Sequence, residues 1–287
     1  MGGIVVVGSL HYDIMVEASD RPRKGETVTG QKWYPKFGGK GGNQAVAAAR
    51  AGAPTQFIGA VGDDNFADLM RKTLQSHGIG TDRIATIKDH GTGMSVAILD
   101  AGGDYGAVIV SGANLLIDTA QFEVQGIWEG AKILILQNEI PESVNIAAAR
   151  NARRHGVQVC INAAPWRALS DELIALIDIV VVNAVEAEDM GGVAVSDLSS
   201  AENAAKSLTA IVETAIVTAG GDGVAWARRG EPSGKLTAHP VEVVSTHGAG
   251  DMFIGSLCHQ IALNKNLEAA IEIANNAAAK HISKTSG

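Results

Sequence analysis

The 287-residue chain has no surplus of basic residues: 23 Lys and Arg stand against 31 Asp and Glu, a formal net charge of -8. No local Lys/Arg run offsets this, which argues against a nucleic-acid partner. Phosphate ligands stay open, because backbone amides and a bound metal hold them without basic side chains. Cysteine is scarce: Cys160 and Cys258 lie far apart, each in an apolar stretch, and both read as buried thiols. Proline is scarce too, at seven, and with 46% hydrophobic and 19% charged residues this excludes disordered and fibrous classes. No uninterrupted apolar run approaches the roughly 20 residues of a membrane span. The opening MGGIVVVGSL has no basic region ahead of its apolar run, so a cytoplasmic protein with no membrane partner is the expectation. A P-loop, G-x-x-x-x-G-K-[ST], is absent. VVVGSLHYD also fails to supply G-x-G-x-x-G after the first apolar run, which sets aside a nicotinamide-dependent oxidoreductase.

What is present is an alternation. Short β-branched runs, GIVVVG near residue 5, QFIGAVG near 60, AKILILQ near 134, VQVCIN near 160, IDIVVVN near 180 and TAIVTAG near 216, read as buried strands. Alanine-rich segments between them, Asn43 to Ala51, Ser143 to His155 and Ala201 to Glu213, carry apolar residues at helical spacing. The pattern predicts an α/β fold with a mainly parallel sheet covered by helices on both faces, and sites at the C-terminal ends of the strands. Residues 11–35 and 91–114 break the rhythm and alternate like exposed strands, as a small projecting β-sheet lid would. There is no Pro/Ser-rich linker, low-complexity tract or internal repeat, so residues 1–287 are expected to form a single domain.

The strongest single feature is HGAGDMFIGSL, His247 to Leu257, a glycine-rich turn entering an apolar-periodic helix. Free amides at Gly248, Ala249 and Gly250 at the positive end of that helix suit an anion such as a transferring phosphoryl group. Asp251 beside it can take the proton of an attacking hydroxyl, which points to a phosphotransferase. A lone G-A-G-D also reads as an ordinary helix cap. In FGGKGGNQAVAAARAG, Phe37 to Gly52, the glycines allow close backbone approach, and Lys40 and Asn43 can hydrogen-bond a polyhydroxylated ligand; a tight turn is the other reading. NAVE, Asn183 to Glu186, and TAGGDG, Thr218 to Gly223, each follow a strand and suit a nucleotide, with Glu186 able to orient water on Mg²⁺. Either is also an ordinary turn.

Taken in order, VVVGSLHYDI, GETVTG, FGGKGGNQAVAAARAGA, IGAVGDD, SGAN, LQNEIP, INAAPWRALSDELIALIDIVVVNAVEAE, TAGGDGV and HGAGDMFIG resemble the ribokinase branch of the ribokinase-like (PfkB family) carbohydrate kinases over nearly the whole chain. The resemblance implies a three-layer Rossmann-like body with a β lid that closes over a sugar and serves as a homodimer interface, and ATP- and Mg²⁺-dependent phosphorylation of a primary hydroxyl. It implies Asp251 as base and Gly248, Ala249 and Gly250 as anion hole. Positions associated with ATP and magnesium are Asn183, Glu186, Thr218, Gly220 and Gly223, with Asn275 where an adenine-lining residue is expected. Sugar-contacting positions are Asp13, Gly39, Lys40, Asn43 and Glu139, with His11 standing where that branch usually carries asparagine. Ribose is the leading sugar, and a nucleoside kinase or a non-catalytic sensor are the alternatives. Ser245 replaces an aspartate linked to a monovalent-cation site, which leaves K⁺ activation open.

Overall fold

A computed structural model describes residues 3–102, 105–124 and 126–283. The elements are β1 (Gly3–Val7), β2 (His11–Ala18), β3 (Gly30–Gly38), α1 (Lys40–Arg50), β4 (Thr55–Gly62), α2 (Phe66–Ser76), β5 (Ile84–Ile87), β6 (Met94–Leu99), β7 (Tyr105–Val110), β8 (Ala131–Gln137) and α3 (Glu142–Arg154). They continue as β9 (Gln158–Asn162), α4 (Asp171–Ile174), β10 (Ile179–Asn183), α5 (Ala184–Gly191), α6 (Leu198–Leu208), β11 (Thr214–Thr218), β12 (Gly223–Arg228), β13 (Gly234–Thr237), α7 (Ala249–Ala262) and α8 (Leu267–Ile282).

The larger sheet has the order β13-β12-β11-β10-β9-β8-β1-β4-β5, parallel from β11 to β5 and closed at one edge by antiparallel β12 and β13. Its central strand explains the layering. In β1, Ile4 and Val6 face the core built with α1, α2, α7 and α8, while Val5 and Val7 face the core built with α3, α5 and α6. A strand apolar on both sides is satisfied only under helices on both faces, and each fully buried Val or Ile contributes about 1.5–3 kcal/mol. Cys160 and Cys258 are buried free thiols.

All six expected strands are present, as β1, β4, β8, β9, β10 and β11. The helix expected over 201–213 instead spans Leu198–Leu208. Asp197 accepts from the Ser200 amide at 2.7 Å in a capping box that starts it early. Residues 209–213 then form the turn into β11.

The second sheet, β3-β2-β6-β7, joins two excursions of the chain: β2 pairs antiparallel with β3, β6 antiparallel with β7, and β2 parallel with β6. It falls in the two segments that break the alternation, but β3 runs on to Gly38. Gly103 and Asp104 of the expected 91–114 segment lie outside the described residues, as do the last four residues of the chain. Asn114 pins the crossing from β1 to β2, accepting from the Leu10 amide and donating to the Leu10 carbonyl, both at 2.9 Å. Asp64 pins the crossing into β6, taking the Thr92 amide and hydroxyl at 2.7 Å each. Among the described residues no helix is long and apolar enough to cross a membrane.

Candidate active site

Helices α1 and α7 pack together with their N-termini at the C-terminal edge of the large sheet. Gly248 begins α7 with φ 77°, a left-handed conformation that side chains resist, and turns the chain into the helix so that Asp251 sits in the first turn. The Asp251 carboxylate is buried and held from both sides: Gln44 Nε2 donates to Oδ1 at 3.0 Å, and Asn43 Nδ2 donates to Oδ2 at 3.2 Å. Burial pushes its pKa above the ordinary 3.8, against the pull of the Lys40 charge and of the Gln44 and Asn43 hydrogen bonds. The result is a desolvated carboxylate at the positive end of a helix, suited to accept a proton.

Three free amides were expected at the head of α7, and the structure corrects one of them. The Ala249 amide turns back to the Thr246 carbonyl at 3.3 Å, whereas those of Gly248 and Gly250 have no partner among the described residues.

Glu139, just past β8, joins this cluster to the second sheet. Its Oε2 accepts from Ser9 Oγ at 2.5 Å and from the Lys40 amide at 2.8 Å, and His11 Nδ1 lies 4.0 Å away. Gly39, with φ 86°, forms the junction between β3 and α1. His11 is buried with Nε2 unpartnered among the described residues. Asp13 lies on β2 opposite Lys36 of β3, and its Oδ1 accepts from Ser95 Oγ at 2.6 Å. Burial raises the Asp13 pKa, opposed by the Ser95 bond and the His11 charge. So His11, Asp13, Gly39, Lys40, Asn43, Glu139 and Asp251 form one neighbourhood across two sheets.

A second group lies farther along the same edge. Asn183 ends β10 and Thr218 ends β11, cross-strand neighbours in register, and Thr218 Oγ1 donates to the Val182 carbonyl at 3.3 Å. Asn183 and Glu186 form a reciprocal capping box at 2.9 Å in each direction, which occupies one Glu186 oxygen. Burial raises the Glu186 pKa; the Asn183 bond and the Lys40 charge oppose it, so the two groups share an electrostatic field. Gly220 and Gly223 shape the turn from β11 into β12. Asn275 Nδ2 is spent on the Thr237 carbonyl at 3.0 Å. No hydrogen bond joins Gly220, Gly223 or Asn275 to the Asp251 cluster among the described residues.

Among the described residues no cluster of three His, Cys, Asp or Glu side chains could cage a metal. One carboxylate, Glu186, fits Mg²⁺ that arrives with phosphate and water ligands. The sequence reading missed Gln44, Ser9 and Ser95. Gln44 directly follows Asn43, near the start of α1, and that placement was its one available signal.

Residues 1–287 match the family model described as pfkB family carbohydrate kinase. The chain is 36% identical over 285 residues to ribokinase of Haemophilus influenzae, covering 98% of this chain and 92% of that protein. It is 35% identical to ribokinase of Mus musculus, covering 98% and 89% respectively. The structure of Arabidopsis thaliana ribokinase complexed with ribose and ATP superposes with a TM-score of 0.92 at 30% identity, covering 100% of this chain and 94% of that one. With a family match from end to end and relatives of this identity, the chain belongs to the pfkB family of carbohydrate kinases and is an ATP-dependent sugar kinase.

Proposed function

We propose that the phosphorylated group is a primary hydroxyl of ribose or a related sugar, and that Asp251 accepts its proton. The observation that carries this is the buried Asp251 carboxylate, held by Gln44 and Asn43, in the same first turn as the unpartnered amides of Gly248 and Gly250. Those two amides stabilise charge on the phosphoryl oxygens as the sugar oxygen attacks. His11, Asp13, Gly39, Lys40, Asn43 and Glu139 bind and orient the sugar. The nucleotide lies along Asn183, Thr218, Gly220 and Gly223, with Asn275 toward the adenine. Glu186 is the residue that would hold Mg²⁺ through its water shell, and the ion neutralises phosphate charge when bound. The Arabidopsis relative, whose structure is complexed with ribose and ATP, supports the choice of substrates.

In this reading the second sheet is a lid over the sugar and the surface through which two copies pair. Trp33 is 65% exposed and Val108 69%, an apolar display suited to a partner copy. An ATP-consuming reaction belongs with the cytoplasmic nucleotide pool, which is the location proposed. Ser245 brings no charge to its segment, so K⁺ activation is left to the assay, which is run with and without the ion.

The test is ADP release with Mg²⁺ and ribose by wild type and Asp251→Asn, with and without K⁺. Loss of about 10²–10⁴-fold in kcat with ATP binding retained is expected of a general base. Turnover within a few-fold of wild type would remove Asp251 from that role.

A further inference from the structure

A cavity of ≈ 350 Å³ opens where β8 ends, under Ile109 of β7. Glu139 and His11 stand in its wall, so it is continuous with the sugar site, and it also holds Asn138 and Arg167, which the proposed reaction does not use. Ile140, Pro141 and Pro165 make much of the remaining wall apolar.

Three side chains of this wall carry buried polar atoms with no partner among the described residues. His11 and Asn138 are 3% and 6% exposed, yet His11 Nε2 and both Nδ2 and Oδ1 of Asn138 have no partner among the described residues. Arg167 donates Nη1 to the Ile140 carbonyl at 2.9 Å, which fixes the plane of the guanidinium, while Nε and Nη2 have no partner. Glu142, the carboxylate whose charge reaches Arg167, spends Oε1 on the Ser170 amide. Buried polar groups in native proteins are paired as a rule, and unpaired polar atoms on three side chains of one cavity mark a place where a ligand completes them.

Donors dominate the set. The Nε and Nη2 edge of a guanidinium presents two parallel N–H groups at the spacing of a carboxylate, and Asn138 Nδ2 adds another donor. Glu139 shares the wall, but its Oε2 is occupied by Ser9 and Lys40. We propose that this cavity is a subsite for a carboxylate carried by the sugar at the end away from the phosphorylated hydroxyl, with Arg167 reading it, so that sugar acids are preferred substrates. The inference rests on the sugar-kinase reading above. The chemistry of transfer is unchanged: the hydroxyl oxygen bonds to the γ-phosphorus, its proton passes to Asp251, ADP leaves, and the carboxylate stays intact.

The experiment measures kcat and KM for ribose, for aldonic and 2-keto aldonic acids and for nucleosides, together with calorimetric binding of the acids, in wild type, Arg167→Gln and Arg167→Lys. The acids should exceed ribose in kcat/KM by roughly 10–100-fold in wild type. Arg167→Gln should reduce the acid-to-ribose ratio by a similar factor, through KM, and Arg167→Lys should restore only part of it because the planar fork is lost. Turnover of ribose with no preference for acids keeps the kinase reading and overturns the subsite. Preference for a nucleoside over both also overturns it, by assigning the cavity to a base. Turnover of nothing breaks the kinase reading, and the subsite is then decided by binding: acid binding lost in Arg167→Gln supports it, and no acid binding overturns it. Thermal melting of each variant separates these outcomes from misfolding.

Discussion

Gln44 ties the proposed base to the sheet: one amide nitrogen donates to Asp251 Oδ1 at 3.0 Å and to Asn162 Oδ1, at the end of β9, at 3.2 Å. Asn162 in turn donates to the Val181 carbonyl at 3.2 Å. A side chain on α1 thus fixes a carboxylate on α7 relative to the strand edge.

A hydrogen bond to the ionised form holds a carboxyl pKa down, so Gln44→Leu should raise that of Asp251 further. The sign follows: a general base must be deprotonated, so the acid limb of the kcat profile moves to higher pH. At neutral pH kcat should fall about 10–100-fold, and the deficit should narrow as pH rises. A parallel, pH-independent loss would mean that Gln44 only positions the carboxylate.

Glu139→Ala should raise the sugar KM by roughly 10–100-fold with a smaller change in kcat, since the residue binds rather than activates. The change also frees the Ser9 hydroxyl and the Lys40 amide, so the melting temperature should drop. Glu139→Gln retains an acceptor and should recover the melting temperature but not the KM. An unchanged KM in both variants would take Glu139 out of the sugar site.

Gly255 lets α1 and α7 approach. A Cβ there would lie 2.5 Å from both Ala47 Cβ and the Ala48 amide nitrogen, with no flexible side chain to yield. Gly255→Ala should cost about 1–3 kcal/mol in urea unfolding and lower kcat by shifting Asp251 against Gln44. Combination with Ala47→Gly should restore part of the stability, and a simple sum of the two losses would rule out this contact as the cause.

Asp64 supplies a pH-dependent clamp. Burial raises its pKa, but hydrogen bonds from Thr92, Ala67 and Phe66 outweigh that and hold the carboxyl below its ordinary 3.8. With the folded-state pKa depressed, the stabilisation is present above the unfolded value and lost as pH falls through the folded one. The stability gap between wild type and Asp64→Asn should therefore be widest near neutrality and close below pH 4 or so. A gap that persists unchanged into acid would point to packing instead.

The strands of the large sheet were legible because runs such as IDIVVVN and AKILILQ are apolar on both faces, a pattern that a parallel sheet demands. Asp251 was legible because its glycines cluster in sequence. Gln44 and Arg167 were not: their roles depend on Asp251, 207 residues away from Gln44, and on a cavity wall drawn from several elements. The early start of α6 escaped the periodicity because a capping box, not an apolar residue, begins it. The bond from the Ala249 amide to Thr246 is a matter of backbone torsion, to which composition is silent.

The parallel pairing of β2 with β6 joins strands from separate excursions of the chain, each returning to the large sheet before the other begins. The second sheet is therefore no transferable module. No single deletion removes it without also taking α1, β4, α2 and β5, and no single contiguous fragment shorter than His11–Val110 reconstitutes it. Excising one hairpin leaves the other with a bare edge along β2 or β6, a template for foreign strands. A gene that gained or lost this sheet in steps would have passed through an adhesive intermediate, so relatives with a reduced cover should have dispensed with both excursions together.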